Sequence, residues 1–145
     1  EGTLQVVLAT AEETEHGRPV VVTQLDVSEI QLAKGAIRTG IEALLEHAGL
    51  TYEDLDRIVI AGAFGTFVDV ESGITIGLFP PLPRERFHQV GYAAGVGAKL
   101  ALISRSQREI ARQLGHKVEY LELMSHPSFT SLFADSMLFP EVVLQ

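Results

Sequence analysis

Cysteine is absent from the 145 residues, so this chain by itself holds no disulfide, no thiolate zinc site, no cysteine-ligated iron–sulfur cluster and no cysteine nucleophile. Basic residues are scarce: 11 Lys and Arg stand against 19 Asp and Glu, a formal net charge of −8. A nucleic-acid surface shows the opposite balance, so no nucleic-acid partner is expected. No apolar run reaches the roughly 18–20 residues of a membrane-spanning helix, and nothing reads as a signal peptide. The first residue is Glu1 rather than Met, and the expectation is a soluble, cytoplasmic domain cut from a longer protein. What is present is a globular composition, 46% hydrophobic and 21% charged, with a length that fits one domain over residues 1–145.

Thr3–Thr10 and Val20–Gln24 are β-branched runs that predict two strands, joined by the polar segment Ala11–Pro19 as a hairpin loop. The acidic cluster Glu12, Glu13 and Glu15 reads as its solvated tip. A helix follows, with Asp26 and Glu29 placed as a capping box, an apolar stripe from Ile30 through Ile37, Ile41 and Leu45, and Gly49 as the closing residue. Arg57–Ala61 predicts a strand covered on both faces. The stretch to Phe79 is less regular, and Pro80-Pro81-Leu82-Pro83 breaks it. Phe87–Val90 predicts a brief strand, Gly91–Ser104 and Ser106–Leu114 helices, Val118–Leu123 an edge or half-buried strand, and Ser128–Leu138 a final amphipathic helix. The order of elements predicts one mixed α/β layer fold, a β-sheet with flanking helices.

Catalytic templates are missing. The histidines show no paired ligand spacing, His116, Glu119, Glu122 and His126 make only a loose cluster, and no G-x-S-x-G elbow surrounds Ser72 or Ser125. No catalytic residue and no resident metal site is therefore assigned; Asp69 and Glu71 read first as a plain surface loop and second as carboxylates that help hold magnesium through water. The sharpest feature is Ile58–Gly65, a buried strand running into Gly62-Ala63-Phe64-Gly65. Ligands of open α/β sheets sit beyond the carboxyl ends of strands, and glycine lets a ligand approach the backbone. The same run also reads as a plain tight turn. Gln31, Lys34 and Arg38 share a face of the long helix, either beside a ligand or simply solvated. Small residues at 91, 94, 95 and 98 predict a flat helix face for close backbone packing or for rotation. Lys99, Arg105, Arg108, Arg112 and Lys117 form a local basic patch.

Taken together, Thr23-Gln24-x-Asp26, Gln31–Arg38, Ala61–Gly65, Gly91–Ala98, Val118–Leu123 and Phe139-Pro140 closely resemble the C-terminal part of the reductive activators of corrinoid proteins, over about Leu4 to Pro140. Those are iron–sulfur ATPases on the fold of actin, sugar kinases and heat-shock chaperone ATPases. The resemblance implies a ribonuclease-H-like lobe of an actin-like ATPase. It implies an adenosine motif at Gly62, Ala63, Phe64 and Gly65, adenine or ribose contacts from Gln31, Lys34 and Arg38, and an inter-lobe connecting helix at Gly91–Ala98. It implies ATP or ADP with Mg²⁺ shared with an N-terminal lobe, an iron–sulfur cluster carried elsewhere in the parent, and a corrinoid protein of a methyl-transfer system as partner. The parent would hydrolyse ATP to reduce inactive Co(II) corrinoid, while this lobe alone would not. Tyr92 stands where the family usually has Asn. On this reading Gly65→Val weakens nucleotide binding without unfolding the protein. The alternatives are a docking or homodimerisation module, pointed to by Phe129, Leu132, Phe133, Met137 and the basic patch, or the equivalent lobe of a sugar kinase or other actin-like ATPase.

Overall fold

The structure is a computed structural model that describes residues 4–141. The expected hairpin is present: β1 (Gln5–Ala9) pairs antiparallel with β2 (Val20–Thr23). At its loop, the Glu13 carboxylate accepts from the Thr10 amide (2.8 Å) and hydroxyl (2.9 Å), while Glu12 and Glu15 are solvated as expected.

Helix α1 (Gln24–Ala48) leaves β2 without a linker. Its capping box sits one turn earlier than the sequence reading placed it. The Thr23 hydroxyl accepts from the Asp26 amide (3.2 Å), and the Asp26 carboxylate accepts from the Thr23 amide (2.8 Å). Glu29 is therefore not the partner; a threonine that ends a strand in extended conformation supplies the cap directly. Gly49 closes the helix at φ 66°, in the left-handed region that glycine reaches without strain. The Thr23 hydroxyl and then the Thr23 amide hold the Asp26 carboxyl below the usual aspartate range. A carboxyl depressed in this way stabilises the fold above its unfolded value and loses that contribution as pH falls through its folded value. Thr23→Ala is expected to destabilise the protein at neutral pH, and the difference from wild type to shrink below about pH 4 as the Asp26 carboxylate protonates, as read by urea melts at both pH values.

Strand β3 (Ile58–Ala61) pairs parallel with β4 (Phe87–Gly91). Two short helices, α2 (Ala63–Phe67) and α3 (Val70–Thr75), fill the stretch that the sequence left irregular, ahead of the proline break. The main core lies here: Val70, Leu78, Phe79 and Phe87 are buried, with Ile58, Ile60 and Leu82 packed against them. The Phe79 and Phe87 rings meet at 5.6 Å between centroids. Only the Ile58/Ile60 face of β3 is covered; Val59 on the other face is 54% exposed, which corrects the expectation of a strand covered on both sides.

Helices α4 (Ala93–Ile103) and α5 (Arg105–Gly115) form a hairpin in which no residue is buried. Arg108 donates to the Ala101 and Leu102 carbonyls and so caps the end of α4. Gly95 meets the Tyr92 ring rather than a neighbouring backbone, and Ala94 and Ala98 are exposed, so no backbone packs on the predicted face among the described residues. Gly91 belongs to β4 rather than to the helix. Val118–Leu123 is not a strand either. Residues 118–122 have no regular structure and Leu123 opens a short 3-10 helix through Ser125; no strand among the described residues pairs with the segment. Helix α6 (Phe129–Met137) returns to lie along α1. The mixed α/β class holds, with its strands in two separate two-stranded ladders among the described residues rather than one sheet.

Candidate functional site

The parallel ladder places two strand-to-helix turns side by side. The Gly62 amide donates to the Gly91 carbonyl at 2.7 Å, tying the turn after β3 to the turn after β4. Both glycines have positive φ, 99° and 61°, so each chain reversal takes a conformation that a side chain would strain. A Cβ on Gly62 would meet nothing within 4 Å, which leaves open space directly over this backbone. Ala63 beside it is exposed. Gln89, which the sequence reading missed, pins the far side: its amide donates to the Gly65 (2.5 Å) and Val68 (2.8 Å) carbonyls. A polar residue within a short apolar strand was the available signal.

Gly65 has a different role from Gly62. A Cβ there would come within 2.6 Å of the Ile60 Cγ2, inside the core-facing side of β3. Its smallness lets α2 fold back on its own strand. Gly65→Val therefore strains the fold itself, which corrects the expectation that this substitution leaves the structure intact.

The α1 residues occupy a second place. Lys34 is 3% exposed, and its ammonium donates to the Ser136 carbonyl (2.7 Å) and to the Leu138 carbonyl. It also lies over the Phe139 ring at 5.3 Å. Burial, and then the nearby Arg38 charge, pull its pKa below the usual lysine range. Arg38 pairs with Glu42 (2.8 Å) and stacks on Tyr52, whose hydroxyl also meets Glu42. Lys34, Arg38 and Glu42 border an open pocket of about 570 Å³ also lined by Phe79, Leu132 and Pro140. Neither Gln31 nor any of residues 62–65 lines that pocket, and Gln31 is half-buried. The seven residues singled out in the sequence thus fall into a turn at 62–65 that is open over Gly62 and Ala63, a cation pair already engaged by the protein, and Gln31, which does not line the pocket beside that pair.

Residues 1–145 match the family described as the C-terminal domain of RACo, the ASKHA domain. The chain belongs to this family. A corrinoid activation enzyme, RamQ of Eubacterium limosum, is 36% identical over 94% of this chain and 23% of its own length. A Methanosarcina barkeri protein, the [Co(II) methylated amine-specific corrinoid protein] reductase, is 29% identical over 79% of this chain and 21% of its own. Among solved structures, a reductive activator for corrinoid, iron–sulfur protein superposes with a TM-score of 0.82 at 34% identity, covering 94% of this chain and 22% of that one. This ASKHA domain therefore spans about a quarter or less of the length of the relatives it matches. The actin-like fold class read from the sequence holds.

The ASKHA domain's residues fit the groups implied by the resemblance unequally. The bare backbone at Gly62 and the exposed Ala63 suit the sugar or base of a nucleotide. No Lys or Arg lies in residues 62–67, so this turn offers phosphates no countercharge from a side chain. Among the described residues no three His, Cys, Asp or Glu side chains gather to hold a metal ion, and without cysteine the chain offers an iron–sulfur cluster no thiolate. No helix among the described residues is long and apolar enough to cross a membrane.

Proposed function

We propose that this domain is the C-terminal lobe of a longer reductive activator of corrinoid proteins and supplies the adenosine side of its ATP site. The observation that supports this most is the pair of glycine turns joined by the 2.7 Å Gly62–Gly91 bond, with open space over Gly62 at the carboxyl ends of two parallel strands. That is where open α/β sheets place ligands. The domain's contribution is positioning: the turn carries the nucleoside while an N-terminal lobe holds phosphates and Mg²⁺ for attack. The whole protein would couple ATP hydrolysis to reduction of Co(II) corrinoid in a cytoplasmic partner protein, with the iron–sulfur cluster outside these residues.

Of the three α1 residues, Lys34 enters this reading weakest, because two of the three N–H groups of its ammonium are spent on the carbonyls of Ser136 in α6 and of Leu138 just after it. Arg38 is likewise held by Glu42 and Tyr52 in a pocket that no residue of 62–65 lines, so the proposal rests on the turn rather than on Gln31, Lys34 or Arg38. Calorimetric titration of the longer polypeptide with ADP and Mg²⁺ tests it: saturable binding at one site is expected, and a folded sample that shows none contradicts it.

A further inference from the structure

Side chains alternate across a strand, so Gln89 stands on the face of β4 that carries Phe87 into the core. It lies opposite Ile60, which packs against the same core. The pattern calls for an apolar residue at this place, and a glutamine there adds nothing to the core. Its amide is spent instead on the segment 62–68. That segment needs an anchor: α2 is five residues long, no side chain caps its start, and Phe67 is 86% exposed. A helix this short does not hold itself in water. The Gly65 and Val68 carbonyls lie in its last turn and just beyond it, where no helical amide follows. Both accept from the Gln89 amide, at 2.5 and 2.8 Å. Among the described residues no other side chain outside 62–68 hydrogen-bonds to this segment. The amide nitrogen carries two hydrogens, one for each carbonyl, which neither a carboxylate nor an apolar side chain can offer.

We infer that Gln89 is a positioning residue of the nucleoside site, holding the far end of segment 62–68 so that the backbone at Gly62 is set before a nucleoside arrives. The inference rests on the reading of that turn as the adenosine side of the site. Two anchors reach back to β4: the Gly62–Gly91 bond at the near end of the segment, and Gln89 at the far end. A turn held at both ends has little freedom left to lose on binding. A turn released at one end is ordered at the expense of affinity. Gln89 is exposed, so water reaches the two carbonyls once the amide is gone. Its loss is therefore felt in the placement of the turn and little in the stability of the fold.

Gln89→Met keeps the length and bulk of the side chain without its donors, and Gln89→Leu does so with a branched one. Both are made in the longer polypeptide, with ADP–Mg²⁺ affinity read by calorimetry and backbone order by amide hydrogen exchange. Each variant is expected to bind ADP at least about fivefold more weakly than wild type. Without nucleotide, the amides of residues 63–68 are expected to exchange faster than in wild type, while those of Ile58–Ile60 are unchanged, and saturating ADP restores the difference. Wild-type affinity in both variants overturns the inference. So does faster exchange that spreads through Ile58–Ile60, or failure of both variants to fold, since either makes Gln89 a support of the core. ADP binding by the wild-type protein scores the nucleoside reading separately: if it binds and the variants bind equally well, the inference fails and that reading stands. If the wild-type protein binds no ADP, both fail.

Discussion

Phe87→Ala is expected to lower the unfolding free energy by about 3–5 kcal/mol, a large share of the 5–15 kcal/mol typical of a domain. Phe87 is 3% exposed, opens β4, and meets the Phe79 ring at a tilt, 5.6 Å between centroids. Removing its ring leaves a cavity in a core whose buried members are few. Phe79 cannot collapse freely into it, because its ring is lodged where Gly73 lacks a Cβ: one built there would come within 2.6 Å of the ring. The parallel ladder depends on this packing, since Ile58 of β3 lies directly opposite Phe87. Urea denaturation of the variant measures the loss. A change below about 1 kcal/mol would mean that the site relaxes and that β3–β4 is held by something other than this core.

Lys34→Met is expected to destabilise the protein by about 2–4 kcal/mol and to free α6 from α1. The substitution keeps length and apolar bulk but removes the donor to the Ser136 and Leu138 carbonyls. These are the last carbonyls of α6 and its exit, groups that no helical amide satisfies. Gly35 beside it shows how closely the helices approach, since a Cβ there would lie 2.9 Å from Met137 Cγ. Faster exchange across Phe129–Met137 would accompany the loss. An unchanged melt combined with weaker ADP binding would contradict this account and return Lys34 to the nucleotide.

The difference between Lys34 as read and Lys34 as placed shows what the sequence could and could not carry. Local signals were legible. The hairpin, α1 with its Gly49 stop, and the helices α4 to α6 follow from period, caps and breakers that act over a few residues. The cap itself slipped from Asp26–Glu29 to Thr23–Asp26 because a threonine can end a strand and begin a helix at once. Pairings across long separations were not legible. Lys34 meets Ser136 across 102 positions, and no local pattern announces that a lysine on a helix face is a cap for another helix. Gly65 was misjudged for a different reason: its contact with Ile60, only five residues back, depends on how sharply α2 turns. Val118–Leu123 alternates like a strand, but no strand among the described residues lies beside it, and alternation without a partner does not make a strand.

The open turn at Gly62 carries the functional claim, and Ala63 is the residue with which to probe it, because it is exposed and meets none of the strain found at its glycine neighbours. The decisive measurement compares ADP–Mg²⁺ affinity of the longer polypeptide with and without Ala63→Glu, alongside the melting temperature of each. The account predicts at least about tenfold weaker binding, since a carboxylate on the turn obstructs the nucleoside and repels its phosphates, with melting unchanged. Equal affinity in the two proteins would contradict it and move the adenosine site away from this turn.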